Sequence, residues 1–192
     1  MRPRNNFYKV QACFLSKGLQ LLDLLQNRQN RKHFDDIALL VIDSPELIQK
    51  LFEIAISQKT NLGMRASWVL DIVSQQRPKL LEPIISQVLP LLENLSPSGN
   101  KRNFMKIISK SAQIEKLGGP LLDIAFKWAS NPEMPAAVRV HSIETIYRFA
   151  HAEPDIIPEL ILILEDIKLR GSNAEKAKAR NTLKLLEKLK KL

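Results

Sequence analysis

The chain reads as all-α, an α-α superhelix of about four to five antiparallel helical pairs, and three features of the sequence predict it. Proline, glycine and asparagine interrupt the chain at short intervals. They leave apolar-periodic segments of roughly 10–18 residues with short connections, the pattern of antiparallel helical neighbours. Leucine and isoleucine supply most of the apolar content while aromatics make up only 6%, a balance that suits layered helices better than aromatic and β-branched strands. An arginine also recurs every 37 residues, at Arg65, Arg102 and Arg139, and Lys176 continues the spacing.

The elements follow from this punctuation. Two helices are expected before Ser44, over about 7–28 and 34–43. Ser44-Pro45-Glu46 sets an N-cap before a proline at the first helical position, which opens a helix over about 45–58. Asn61-Leu62-Gly63 reads as a break, and the helical pattern resumes over about 64–77. Pro78 and Pro83 open a helix near 79–95, and Ser96–Asn100 reads as a loop. Helices then fit about 101–115, 119–130, 135–151, 155–169 and 173–191, parted by Gly118-Gly119-Pro120, Asn131-Pro132, Glu153-Pro154 and Gly171-Ser172-Asn173. Each recurring basic residue falls early in the second helix of a pair. Ala66, Val69 and Val73 superpose on Val140, Ile143 and Tyr147, while Phe104, Ile107 and Ile108 run about one residue out of step. The expected core includes Val69, Leu70, Val73, Ile107, Ile108, Ile143, Ile146 and Tyr147, each on the apolar side of its helix.

The segment Pro135-Ala136-Ala137-Val138-Arg139-Val140-His141-Ser142-Ile143 resembles the second-helix signature of the HEAT-repeat superfamily, in which a Val-Arg pair precedes small and aliphatic core residues. Gly63-Met64-Arg65-Ala66-Ser67-Trp68-Val69-Leu70 is a second instance, with Met for Val. Pro78–Pro83 and Pro154–Pro158 are similar to the proline-led first helix of a following repeat. The resemblance covers about 44–192, with 1–43 as an atypical N-terminal cap, and implies a HEAT-like solenoid with the second helices on its inner side. No linker is long or biased enough to divide the chain, so 1–192 is expected to form one helical-repeat domain. About four stacked units suffice to bury a continuous core.

Composition narrows the function classes. The lone Cys13 excludes an internal disulfide framework and a Cys-rich zinc site. The basic start, Met1–Asn6, leads into no apolar stretch long enough for a secretory signal. No apolar run approaches the roughly 20 residues of a membrane-spanning helix. No membrane association is expected, and a cytoplasmic location is. The net charge of +9 is unevenly spread: residues 1–34 carry seven Lys/Arg and one Asp, 101–116 carry five and one Glu, and 168–192 carry nine and two Glu, while the intervening blocks are net acidic. A polyanion would therefore feel the two ends and one middle helix.

Catalytic motifs are mostly absent. There is no Walker-type phosphate loop, G-x-G-x-x-G, G-x-S-x-G or H-E-x-x-H. His33, His141 and His151 lack metal-ligand spacing; the last two fall roughly 80° apart on a helix and several turns distant. No metal or cofactor is expected. Arg102, Lys106 and Lys110 recur at i, i+4 and i+8 on one face, where like charges repel by a few tenths of a kcal/mol per pair. Lys176, Arg180 and Lys184 repeat the arrangement in the last helix. These six residues are the candidates for an anionic partner. Neither face carries the stacking aromatics of single-strand readers. In the helix over 64–77, Ala66, Val69, Leu70 and Val73 form the core stripe and Asp71 is expected to point away from it, beside Trp68. This pair is similar to one in the alkylpurine DNA glycosylases built on HEAT-like repeats, whose DNA-facing cleft is lined by tryptophans and an aspartate. That resemblance implies Trp68, Asp71, Arg65, Arg139 and Arg148 as cleft candidates, although the fuller aromatic set of those enzymes is missing.

The function these readings favour is a non-enzymatic scaffold that binds a protein partner through its concave face. The alternative is a nucleic-acid-binding protein acting through the basic faces, a DNA-repair glycosylase relative among them.

Overall fold

A computed structural model describes residues 18–27, 30–57 and 61–189. Most of the expected helix over 7–28, Cys13 and the last residues of the expected 173–191 helix lie outside them. In chain order the helices are α1 (18–26), α2 (Arg31–Asp43), α3 (Leu47–Ser57), α4 (Asn61–Gln76), α5 (Glu82–Val88), α6 (Ser98–Ser109), α7 (Gly118–Ser130), α8 (Ala136–Phe149), α9 (Ile157–Arg170) and α10 (Asn173–Leu189). Short 3-10 segments occupy Pro78–Leu81, Leu89–Asn94, Ile114–Leu117 and Pro154–Ile156. No strand occurs among the described residues. The chain divides into two compact units, Met1–Ile84 and Ile85–Leu192.

In the first unit α4 packs against α3, against α2 and against the turn Pro78–Leu81. A helix gripped on three sides has little free surface. All of Val69–Ser74 is buried, with Val69, Leu70 and Val73 fully so. Asp71 is therefore only 3% exposed, contrary to the expectation that it points away from the core. Asn61–Gly63, expected as a break, is instead the first turn of α4. At the start of α2 the Asn30 side chain accepts from the His33 amide at 3.2 Å, an N-cap.

The second unit holds α6 and the hairpins α7/α8 and α9/α10. The α7–α8 connection is a tight turn in which Asn131 accepts from the Glu133 amide at 2.9 Å through its side chain and from the Met134 amide at 3.1 Å through its carbonyl. Pro135 then opens α8, and its carbonyl accepts from Val138 at 2.8 Å. Helix α8 packs against its partner α7 and also against α6 and α10. Thr145 and Arg148 meet Met105 and Ser109 of α6, while Arg139 and Glu144 meet Glu175 and Lys178 of α10. In both sets the residue numbers rise together, so α6, α8 and α10 run parallel as one layer of second helices.

Three expectations change here. The segment over 79–95 is not one helix, because Pro83 and Pro90 leave only α5 between two 3-10 turns. Helix α6 starts at Ser98, inside the expected loop, and ends at Ser109 rather than near 115. The chain passes through the turn Ile114–Leu117 to Gly118, whose φ of +59° suits a residue without Cβ. Tyr147 is half-buried, its ring edge-on to His151 at 5.0 Å, whereas the other seven expected core residues are buried.

The register of α6 has a structural cause. Its buried Phe104, Ile107 and Ile108 take the places of the buried Ser142, Thr145 and Ile146 of α8, 38 residues on. Lys101 thus stands where Arg139 stands, and its ammonium lies 5.5 Å from the centroid of Trp128 in α7. Arg102 is displaced by one residue, about 100° round the helix, and is exposed.

Candidate functional site

Arg102, Lys106 and Lys110 lie along the outward side of α6, the first and last exposed and Lys106 half-buried. Arg102 Nε donates to Asn103 Oδ1 at 3.1 Å, and Asn103 is itself buried. The next helix, α8, turns Ala137, Val140, Glu144, Tyr147 and Arg148 to the same side. The Arg148 Nη1 donates to the Ser109 carbonyl of α6 at 2.8 Å, a contact to the end of a neighbouring helix where unsatisfied carbonyls gather. On α10, Lys178 is paired with Glu144 and marks the edge that meets α8. At 100° per residue, Lys188 and Lys184 follow about 80° and 120° round the helix, away from the buried residues Glu175, Ala179, Thr182 and Leu186. Arg180 and Lys176 lie on the far side, about 160° from Lys178. Of the six expected anion-binding residues, Arg102, Lys106, Lys110 and Lys184 share the outward side of the second-helix layer. Lys176 and Arg180 do not.

The cleft candidates sort differently. Trp68, in the first unit, stacks on Phe34 with centroids 4.6 Å apart and lies under the Arg31 guanidinium at 5.7 Å. Arg31 Nε in turn bonds Asp35 Oδ1 at 2.9 Å. Asp71 Oδ2 accepts from Gln75 Nε2 at 3.2 Å. Arg65 donates from Nη1 to the carbonyls of Leu25 and Gln26, both at 2.9 Å, and so closes the end of α1. In the second unit Arg139 is 5% exposed. Its Nε donates to the Ala129 carbonyl at the end of α7, at 3.0 Å, and its Nη1 to Glu175 Oε1 at 2.6 Å.

Glu175 is the structural residue that the sequence reading missed. Ser172 and Glu175 form a capping box, S-x-x-E, at the start of α10. The Ser172 amide and hydroxyl donate to Glu175 Oε2 at 2.8 and 2.6 Å, and the Ser172 carbonyl accepts from Lys176 at 2.8 Å. Gly171 makes this close approach feasible, since a Cβ there would lie 2.7 Å from the Ile167 carbonyl oxygen and 3.1 Å from Glu175 Cβ. Burial alone would raise the Glu175 pKa. The two Ser172 hydrogen bonds and the Arg139 guanidinium outweigh it and hold the carboxyl below its ordinary value of 4.5. A depressed carboxylate pKa gives stability that is complete above the unfolded value and is lost as pH falls through the folded one. The melting temperature of wild type should accordingly exceed that of Glu175→Gln most at neutral pH, and the gap should narrow as pH falls below 4.5. A gap independent of pH between 3 and 7 would remove Glu175 as the cause.

Among the described residues no group of three or more His, Cys, Asp or Glu is placed to hold a metal ion. Among them, too, no helix is long and apolar enough to cross a membrane. Paired helices, a parallel layer of second helices and arginines early in α4 and α8 that each close the end of a preceding helix define a helical-repeat protein. The family model of the HEAT repeat domain matches residues 21–186, and the chain belongs to that family. No curated protein and no solved structure matches it.

Proposed function

We propose that the chain is a non-enzymatic interaction scaffold that binds a protein partner through the outward side of its second-helix layer, the side on which HEAT repeats are concave. The observation that carries this reading is the composition of that side. Ala137, Val140 and Tyr147 of α8 are at least partly exposed there, among the charged Glu144 and Arg148 of the same helix. A mixed apolar and charged strip of this kind is what protein interfaces use, an apolar centre with a polar rim. Membership of the HEAT repeat family, whose members commonly mediate protein interactions, supports it.

The reading is tested by placing a photo-crosslinking amino acid at Val140 in the full chain, with Leu162 on α9, 72% exposed, as the control position. Irradiation in the cells that make the protein should give discrete protein adducts from position 140 and none from 162. Adducts at 140 that disappear on nuclease treatment would place the nucleic-acid reading above the scaffold reading. Equal adducts at both positions would remove the second-helix layer as the binding side.

A further inference from the structure

We infer that the C-terminal end of the α6, α8 and α10 layer is an anchor site for a short acidic segment of a partner protein, one large apolar side chain flanked by carboxylates. The inference rests on the scaffold reading and names the chemistry of the partner. Contacts between the three helices fix the level of each residue. Thr145 meets Met105 and Arg148 meets Ser109, offsets of 40 and 39 residues, so Lys110 of α6 stands level with the end of α8. Arg139 meets Glu175 and Glu144 meets Lys178, offsets of 36 and 34, which bring Lys184 and Leu185 of α10 to that same level. Round α8, Tyr147 falls between Arg139 and Glu144, the two residues that bond α10, and so leans toward that helix. Leu185 follows Lys178 by about two turns and about 20° of rotation, on the edge of α10 that meets α8. Tyr147 and Leu185 therefore adjoin across the end of the α8–α10 seam.

Together they make a small apolar floor. Leu185 is a large apolar side chain left 41% exposed, and the half-buried Tyr147 ring is braced edge-on by His151 at 5.0 Å. Lys110, Arg148 and Lys184 rim it, one from each helix. Lys110 and Lys184 are exposed, and among the described residues neither has a carboxylate partner. Arg148 leans toward α6, where Nη1 donates to the Ser109 carbonyl and leaves the rest of its fork open. Lys110 and Arg148 stand at helix C-termini, where positive charge is favourable in itself. Lys184 has no such cause, since α10 runs on to Leu189. The span sets the form of the ligand. Packed helices lie about 8–10 Å apart, so α6 and α10 stand about 16–20 Å apart across α8. An extended chain advances about 3.3 Å per residue, so carboxylates about five or six residues apart reach Lys110 and Lys184 together. A leucine-type side chain midway between them lies over Tyr147 and Leu185, an apolar anchor within a charged rim. A nucleic-acid duplex satisfies the three cations alone, because phosphates and sugars give Tyr147 and Leu185 little apolar surface to bury against.

The test uses a fluorescein-labelled peptide of about 12 residues with a leucine midway between two glutamates about six residues apart. Controls are the same peptide with serine for the leucine, and a labelled DNA duplex of about 20 base pairs, long enough to span the three helices at about 3.4 Å per pair. Fluorescence anisotropy with the full chain should show the leucine peptide binding at least about threefold more tightly than the serine peptide. Lys110→Gln with Lys184→Gln should weaken it about tenfold, and Leu185→Ser about threefold to tenfold. Lys176→Gln with Arg180→Gln makes the same change of net charge on the far side of α10 and should alter affinity by less than about twofold. All five positions are outside the buried core, and circular dichroism checks that each variant remains folded. Four results would overturn the inference. They are equal affinity for the serine peptide, equal weakening by the far-side pair, tighter binding of the duplex than of the peptide, and no peptide binding at about 50 mM salt, where charge attraction is weakly screened. Protein crosslinking at Val140 together with any of these would leave the scaffold reading standing and this inference refuted.

Discussion

Arg139→Met should lower the free energy of unfolding by about 3–5 kcal/mol, the loss expected when one partner of a buried ion pair is removed. The pair is enclosed: the side chains of Arg139 and Glu175 are each 6% exposed, and Nη1 and Oε1 are 2.6 Å apart. The variant leaves the Glu175 carboxylate with only its Ser172 donors, and it also strips the donor from the Ala129 carbonyl. The double variant Arg139→Met, Glu175→Gln should lose less than the sum of the two single losses, because the second change no longer breaks the pair. Denaturant unfolding followed by circular dichroism measures both. A loss below about 1 kcal/mol for Arg139→Met would assign the pair the weight of an exposed one.

Ile143→Ala is the second large effect, about 2–5 kcal/mol. Ile143 is fully buried in α8, the helix that packs on α6, α7 and α10 together. Three surrounding helices restrict the collapse that would fill the resulting cavity, so the loss should fall toward the upper part of that range. Val140→Ala, one turn away but half-exposed, is the comparison and should cost much less. Similar losses at the two positions would mean that the helix is rotated from the orientation described.

Much of this fold is legible in the sequence, because its punctuation acts locally. Pro135, Pro154, Gly171 and the Asn131-Pro132 pair end or open helices through their own backbone constraints, and the boundaries of α7 to α10 follow them within a few residues. Features that depend on neighbours are less legible. Asp71 reads as a surface residue on a wheel of α4 alone, and it is buried because α2, α3 and the Pro78–Leu81 turn cover most of that helix. Asn103 is buried beside an exposed Arg102 for a related reason: the one-residue shift of α6 is set by how Phe104, Ile107 and Ile108 fill the layer. The basic stripe of α6 was visible because three cations at i, i+4 and i+8 define one face wherever the helix is placed. The division of the α10 cations was not, because it depends on which edge meets α8. Glu175 carried a local signal in the S-x-x-E spacing of Ser172 and Glu175, but its link to Arg139 exists only once α8 and α10 lie side by side.

The chain of contacts from Ala129 through Arg139 and Glu175 to Ser172 joins the end of α7, the start of α8 and the start of α10, and so links the turns of two successive hairpins. In a linear array each repeat has an intrinsic stability, often unfavourable alone, and a coupling to its neighbour that sets how far unfolding spreads. Here the polar part of that coupling comprises the half-buried pair of Glu144 with Lys178 and one buried guanidinium shared between adjacent repeats. Detaching α10 strands Arg139 inside the preceding hairpin, so the α9/α10 repeat cannot unfold at a cost confined to itself. The boundary between α8 and α10 is thereby a point of high cooperativity, where the loss of one repeat is felt by the one before it.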